Sequence, residues 1–157
     1  MSSQGMIVVA VPHKVQGPQF GGYTENTKYA ELLKQLLFDV DFIFEEASGR
    51  GPSIAKNLTA EGWAKGHYLD VDPPSDQRSH YGLSTTSFNP CHTTAWWSCQ
   101  LIEEHKNREK LWLKQIKEQA FQRGLMICGL LHGLSFAFRL EADCFSDVQL
   151  YDFRCCL

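Results

Sequence analysis

No stretch of this sequence approaches the roughly 18 consecutive apolar residues that a membrane-spanning helix needs. A membrane-embedded role is therefore not expected. Blocks of five like charges are also missing, and 15 Lys and Arg against 18 Asp and Glu leave a formal net charge of -3. A nucleic-acid binder draws much of its affinity from a clustered basic face, so nucleic acid is not an expected partner. Six cysteines occur, but none in a Cys-x-x-Cys pair. A chain of 157 residues can bury roughly 70% of its unfolded surface, and it needs no disulfide framework. Free thiols in a reducing compartment are expected, with Cys128 packed as a small core residue. Neither Gly-x-x-x-x-Gly-Lys nor Gly-x-Gly-x-x-Gly occurs, so the loops that cradle nucleotide phosphates are absent. A Gly-x-Ser-x-Gly elbow is absent as well, which disfavours a serine nucleophile.

What is present reads as one ordinary domain over residues 1–157. Hydrophobic residues make up 43% and charged residues 21%, close to the globular average, which argues against disorder. The chain opens Met-Ser-Ser-Gln-Gly and runs straight into Met6–Val11, without the basic flank and longer apolar core of a signal peptide. A cytoplasmic protein is the expectation.

Strand-like and helix-like stretches alternate, the pattern of a parallel sheet covered by helices. Met6–Val11 is a continuous apolar run, mostly β-branched, suited to a strand buried on both faces. Residues 24–38 follow with Tyr29, Leu32, Leu33, Leu36 and Leu37 at helical spacing. A strand is expected over 41–45, a helix over 52–63 and a short strand over 67–71. A short helix near 75–82 and a loop precede the longest helix, over 94–122. A strand over 125–129, a helix over 131–142 and a strand over 148–153 complete an α/β fold with a mostly parallel sheet of about five strands flanked by helices.

In an open parallel sheet, ligands bind beyond the carboxyl ends of the strands. His13 follows the first strand, Glu45 and Glu46 end the second with Arg50 behind, Asp72 follows the third, and Gly129-Leu130-Leu131-His132 leaves the fourth. Two imidazoles and several carboxylates thus project toward one rim. If both Glu45 and Glu46 still belong to the strand, they face opposite sides and serve different roles. Opposed pressures on their ionisation are how acid and base functions become separated at neutral pH. His13, Glu45 and His132 also form a ligand set suited to zinc, manganese or iron, although no His-x-x-x-His or His-x-His pair anchors an ion locally. On helix pattern alone Arg108 belongs to a solvated face; in the alternative it reaches the strand ends to hold an anion or orient Glu45. Trp63, Trp96, Trp97 and Trp112 are expected in the core or as an apolar wall. His67, His80, His92 and His105 carry no distinguishing spacing. The stretch 16–22 is placed at the mouth of the pocket.

The order Ala10-Val11-Pro12-His13, Phe42-Ile43-Phe44-Glu45-Glu46 with Arg50, Arg108-Glu109 and Gly129-Leu130-Leu131-His132 resembles the superfamily of the TraB, GumN and Tiki proteins, ChaN and the erythromycin esterases. Those proteins show a Gly-x-x-His after the first strand, an acidic residue ending the second and a second Gly-x-x-His near the C-terminus. Here alanine replaces the first glycine and the chain is a minimal version. The resemblance implies a site shared among metal-dependent proteases, metal-free hydrolases and a haem binder.

Two readings follow. In the first, the protein is a hydrolase of a small-molecule or peptide substrate. His13 or His132 activates water, alone or with a divalent metal. Glu45 acts as base or ligand, with Glu46 beside it, and Arg50 or Arg108 stabilises developing charge with Asp72 nearby. In the second, the histidines hold a haem, a metal or a small anion without turnover. A buried polar network in a structural subunit is the blandest alternative. An exposed aromatic face would favour a homodimer.

Overall fold

The computed structural model describes residues 4–17, 27–83, 95–143 and 145–153. Five strands, β1 (Gly5–Val11), β2 (Phe42–Glu45), β3 (His67–Asp70), β4 (Arg123–Gly129) and β5 (Asp147–Asp152), form one sheet in the order β3-β2-β4-β1-β5. All its pairings are parallel. The helices are α1 (His13–Gln16), α2 (Thr27–Leu37), α3 (Ile54–Ala60), α4 (Ala95–Lys117) and α5 (Leu130–Ala142), with a 3-10 turn at Arg78–Tyr81. Among the described residues no helix is long and apolar enough to cross a membrane.

Alternation along the strands divides the core in two. Met6, Val8, Phe42, Phe44, Met126 and Cys128 point to one face, where Trp112 and Ile116 of α4 and Phe136 and Leu140 of α5 cover them. Ile7, Val9, Ile43, Leu125 and Ile127 point to the other, against Tyr29, Leu33 and Leu37 of α2 and Leu58 of α3. Burial of each such side chain stabilises by about 1.5–3 kcal/mol. Cys128 is a buried free thiol. Small residues allow α5 to lie close on β1: a Cβ built on Gly133 would stand 2.4 Å from Ala10 Cβ.

The connections locate the crevice. Chain leaving β1 and β2 runs through α2 and α3 over one face, whereas chain leaving β4 runs through α5 over the other. β4 lies between β1 and β2, so its carboxyl end is flanked on both sides by strands whose exits go the opposite way. Such a divergence leaves a gap above the strand ends.

The expected elements are all present, with shifted ends. The expected short helix at 75–82 is a single 3-10 turn, and the one-turn α1 was not foreseen. In the expected mouth, 16–22, Gln16 is a buried residue of α1, and residues 18–22 lie outside the described residues. So do the side chains of Trp96 and Trp97; Trp112 is fully buried and Trp63 is 47% exposed.

Candidate functional site

A cavity of about 270 Å³ opens at the carboxyl end of β4. Its walls include His13 after β1, Glu46 after β2, His105 and Arg108 of α4, and the start of α5 through His132.

Strand parity selects which glutamate enters. Glu46 shares its parity with Phe42 and Phe44, so it faces α4 and α5; Glu45 faces α2 and α3 with Ile43. The backbone N–H of Glu46 still donates to Ile127 O at 2.9 Å, which extends the sheet alternation one residue past β2. Glu45 therefore lies behind the cavity. Its carboxylate accepts from Gln16 Nε2 at 2.9 Å, from Tyr68 Oη at 2.7 Å and from Ser53 Oγ. Burial raises the Glu45 carboxyl above its ordinary range despite the bonds from Ser53, Tyr68 and Gln16. The same burial, with Glu45 alongside, pushes the Tyr68 hydroxyl up.

Glu46 is fixed by donors at both oxygens. Arg108 Nη2 donates to Oε1 at 2.5 Å, and the Gly129 N–H donates to Oε2 at 2.7 Å. Burial would raise this carboxyl, but Arg108, His132, His13 and the Gly129 N–H outweigh it and hold it at about 2. Arg108, which helix pattern alone would put on a solvated face and the alternative reading puts at the strand ends, is only 11% exposed and lines the cavity. Its Nε donates to Asp72 Oδ1 at 2.8 Å, and Trp112 Nε1 and Arg78 Nη2 reach the same carboxylate at 3.0 Å each. Asp72 is thus the buried anchor of Arg108, and Arg50 is exposed and outside the cavity wall. Asp70 holds the intervening turn by accepting the backbone N–H groups of Ala47, Gly49 and Asp72 at 3.1, 2.7 and 3.1 Å.

Both imidazoles are oriented from behind. Gln16 uses its amide N–H on Glu45, which leaves its carbonyl oxygen to accept from His13 Nδ1 at 2.7 Å. On the other wall His132 Nδ1 donates to Glu109 Oε1 at 3.0 Å. Glu109 is steadied by Ser135 Oγ at 2.6 Å and Arg139 Nε at 3.3 Å. Burial would raise the Glu109 carboxyl, but its bonds from His132, Ser135 and Arg139 lower it. With Nδ1–H committed on each ring, both Nε2 atoms turn to Glu46: His13 Nε2 is 3.7 Å and His132 Nε2 3.9 Å from Oε1. His13 stands at the mouth, 41% exposed, and His132 in the wall, 3% exposed.

His105, Gln16 and Glu109 are parts of this site that the sequence reading left without a role. The His105 ring lies 4.3 Å from that of His132. Burial, then His132 and Arg108, lowers the His105 imidazole to about 4, so the ring stays neutral at physiological pH. Only the position of Glu109 beside Arg108 offered a signal; Gln16 meets His13 within its own helical turn but reaches across to Glu45, and the ring beside His105 belongs to α5.

A divalent metal on His13, Glu45 and His132 does not fit. Glu45 is absent from the cavity wall, and the oxygen of Glu46 nearest both histidines already accepts from Arg108. An ion there would sit beside a buried guanidinium. Among the described residues no group of three or more His, Cys, Asp or Glu side chains has the spacing to hold a metal.

The chain matches no family model, no curated protein and no solved structure.

Proposed function

We propose that the protein is a hydrolase acting by general acid–base catalysis, with His132 as base and His13 as acid. One observation carries this reading: two imidazoles from opposite walls of one cavity, each tied at Nδ1, present Nε2 to the same carboxylate oxygen. His132 with Glu109 has the geometry of a histidine–acid dyad, in which the carboxylate fixes the tautomer and leaves Nε2 facing the cavity.

In the reaction, His132 Nε2 takes a proton from water as the water oxygen bonds to the electrophilic centre. The bond from that centre to the leaving group breaks, and the leaving atom takes a proton from Nε2 of protonated His13. Return of one proton from His132 to His13 through solvent restores the starting state. Glu46, ionised throughout, stabilises whichever imidazole is charged. Glu109 and Gln16 are positioning residues. The cavity is at the small end of ligand pockets, which suits the scissile group of a small molecule or a short part of a peptide. The order of motifs shared with the TraB superfamily, which includes metal-free hydrolases, supports the same reading.

The test is turnover on a panel of chromogenic esters, amides and phosphoesters in the presence of a chelator. His132→Asn should lower kcat by about 10²–10⁴-fold. Glu109→Gln should lower kcat more than it raises KM, and the double variant should add little to His132→Asn, because the pair acts as a unit. Near-UV circular dichroism checks that each variant is folded. Folded His132→Asn with full turnover would refute the assignment, as would binding of panel compounds with no turnover.

A further inference from the structure

We propose that α5 carries the seam of a homodimer, in which a second copy of this chain packs antiparallel across Leu131, Leu134 and Phe138. The seam borders the cavity at Leu131 but does not depend on the chemistry assigned there.

Helical spacing makes the face. Leu131, Leu134 and Phe138 stand at i, i+3 and i+7 of α5, so they form one stripe on the side turned away from the sheet. They are 73, 61 and 62% exposed, while Gly133, Phe136, Ala137 and Leu140 of the same helix are buried beneath them. Leu150 of β5 adjoins the stripe at 38% exposure, its Cδ1 3.6 Å from where a Cβ on Gly133 would stand. At about 200 Å² for a fully exposed large apolar residue, these four present roughly 470 Å². The largest apolar patch of a monomer is about 300–600 Å². A standard interface buries about 800 Å² on each partner, and in homodimers about 65% of it is apolar, or about 520 Å². The stripe supplies nearly all of that area.

Charge and shape select a second copy as the occupant. In a twofold contact the same patch meets itself, so a charged patch repels its own copy. Between Leu130 and Leu140 the ionisable side chains are His132, which is buried, and Arg139, which is bonded to Glu109 of α4. The stripe itself carries no charge. With the axis over Leu134, two antiparallel helices set Leu134 against Leu134 and Leu131 against Phe138 of the second copy, three residues before the axis against four after it. The smaller side chain then lies against the larger at both ends. Glu141, Asp143 and Asp147 follow the stripe, whereas a helix that lies on a membrane carries Lys and Arg beside its apolar face, so a lipid surface is disfavoured. The edge strand β5 is not the seam, since Asp147 and Asp152 close it at both ends.

Sedimentation equilibrium of the intact chain reads the association directly. A species of twice the 17.9 kDa chain mass is expected, with a Kd of about 10 μM or tighter. Leu134→Glu sets like charges together at the axis and should weaken association by about 100-fold or more. Phe38→Ser, at an exposed aromatic just beyond α2, should leave it unchanged. Leu131→Glu and Phe138→Lys should each weaken association by about tenfold or more, and together they should recover most of the loss, because opposite charges then meet across the axis. All three positions are exposed in the single chain, and near-UV circular dichroism checks that the variants are folded. A chain still monomeric at about 100 μM would overturn the proposal and leave the face to an unlike protein. A dimer indifferent to Leu134→Glu, or a double variant no tighter than either single one, would overturn it as well. So would a monomer that binds phosphatidylcholine vesicles through this face, with binding lost in Leu134→Glu.

Discussion

Replacing Gly129 by alanine should separate the chemistry from the fold. Gly129 has φ -63 and ψ 153, a conformation open to any residue, so the change introduces no backbone strain. The new Cβ would lie 2.7 Å from His13 Nε2, 3.0 Å from its Cε1 and 3.3 Å from Glu46 Oε2. Something must move. Glu46 is bound by Arg108 and by the Gly129 N–H itself, whereas His13 is 41% exposed and stands on a single helical turn. The imidazole should therefore swing toward solvent. Loss of its bond to Gln16 costs about 1 kcal/mol. Alanine instead of glycine at a helix cap costs about 0.5–1 kcal/mol more. The stiffer unfolded chain offsets about 0.4–1 kcal/mol of this. The net cost of about 1 kcal/mol corresponds to a Tm drop of about 2–4 °C at this chain length. Turnover should fall far more, by about 10²–10⁴-fold, because the general acid has left the cavity. Calorimetry and kcat/KM on a substrate found with the panel measure the two effects side by side. If Gly129→Ala keeps kcat/KM within about threefold of the parent, His13 does not act where the geometry puts it.

Two further expectations concern the same rim. Gly133→Ala forces two rigid Cβ atoms together at 2.4 Å, so α5 must lift from β1, a destabilisation of about 1–3 kcal/mol. Ala10→Gly should relieve part of that cost in the double variant; additive costs in denaturant titrations would show that α5 does not approach β1 at this point. His105 gives a pH dependence. Its folded value of about 4 lies below the ordinary 6.5, so the unfolded chain binds the extra proton in between. Its contribution is fully present above pH 6.5 and is lost as pH falls toward 4. His105→Gln should flatten the decline of the urea midpoint across that window, and an unchanged slope would assign the decline to other groups.

Much of the fold was legible because its cause is local. Met6–Val11 and Leu125–Gly129 are apolar runs that only a doubly covered strand accommodates, and Tyr29, Leu33 and Leu37 repeat at helical spacing. Period-two alternation also foretold that Glu45 and Glu46 would face apart. Which of them would meet the histidines was not legible, since it depends on which helices cover which face. Strand order and the handed crossovers fix that: α4 and α5 carry Arg108, Glu109 and His132 to the face that Phe42, Phe44 and Glu46 share.

The sequence alone thus determined the alternation of strands and helices and the residues delivered to each strand end. Only the tertiary structure determined the long-range partnerships that orient them: His132 with Glu109 of another helix, Gln16 beneath His13 with Glu45, and Arg108 with both Glu46 and Asp72. The physical reason is range. Backbone periodicity is set by near neighbours, whereas a buried charge must find a counter-charge wherever packing brings one.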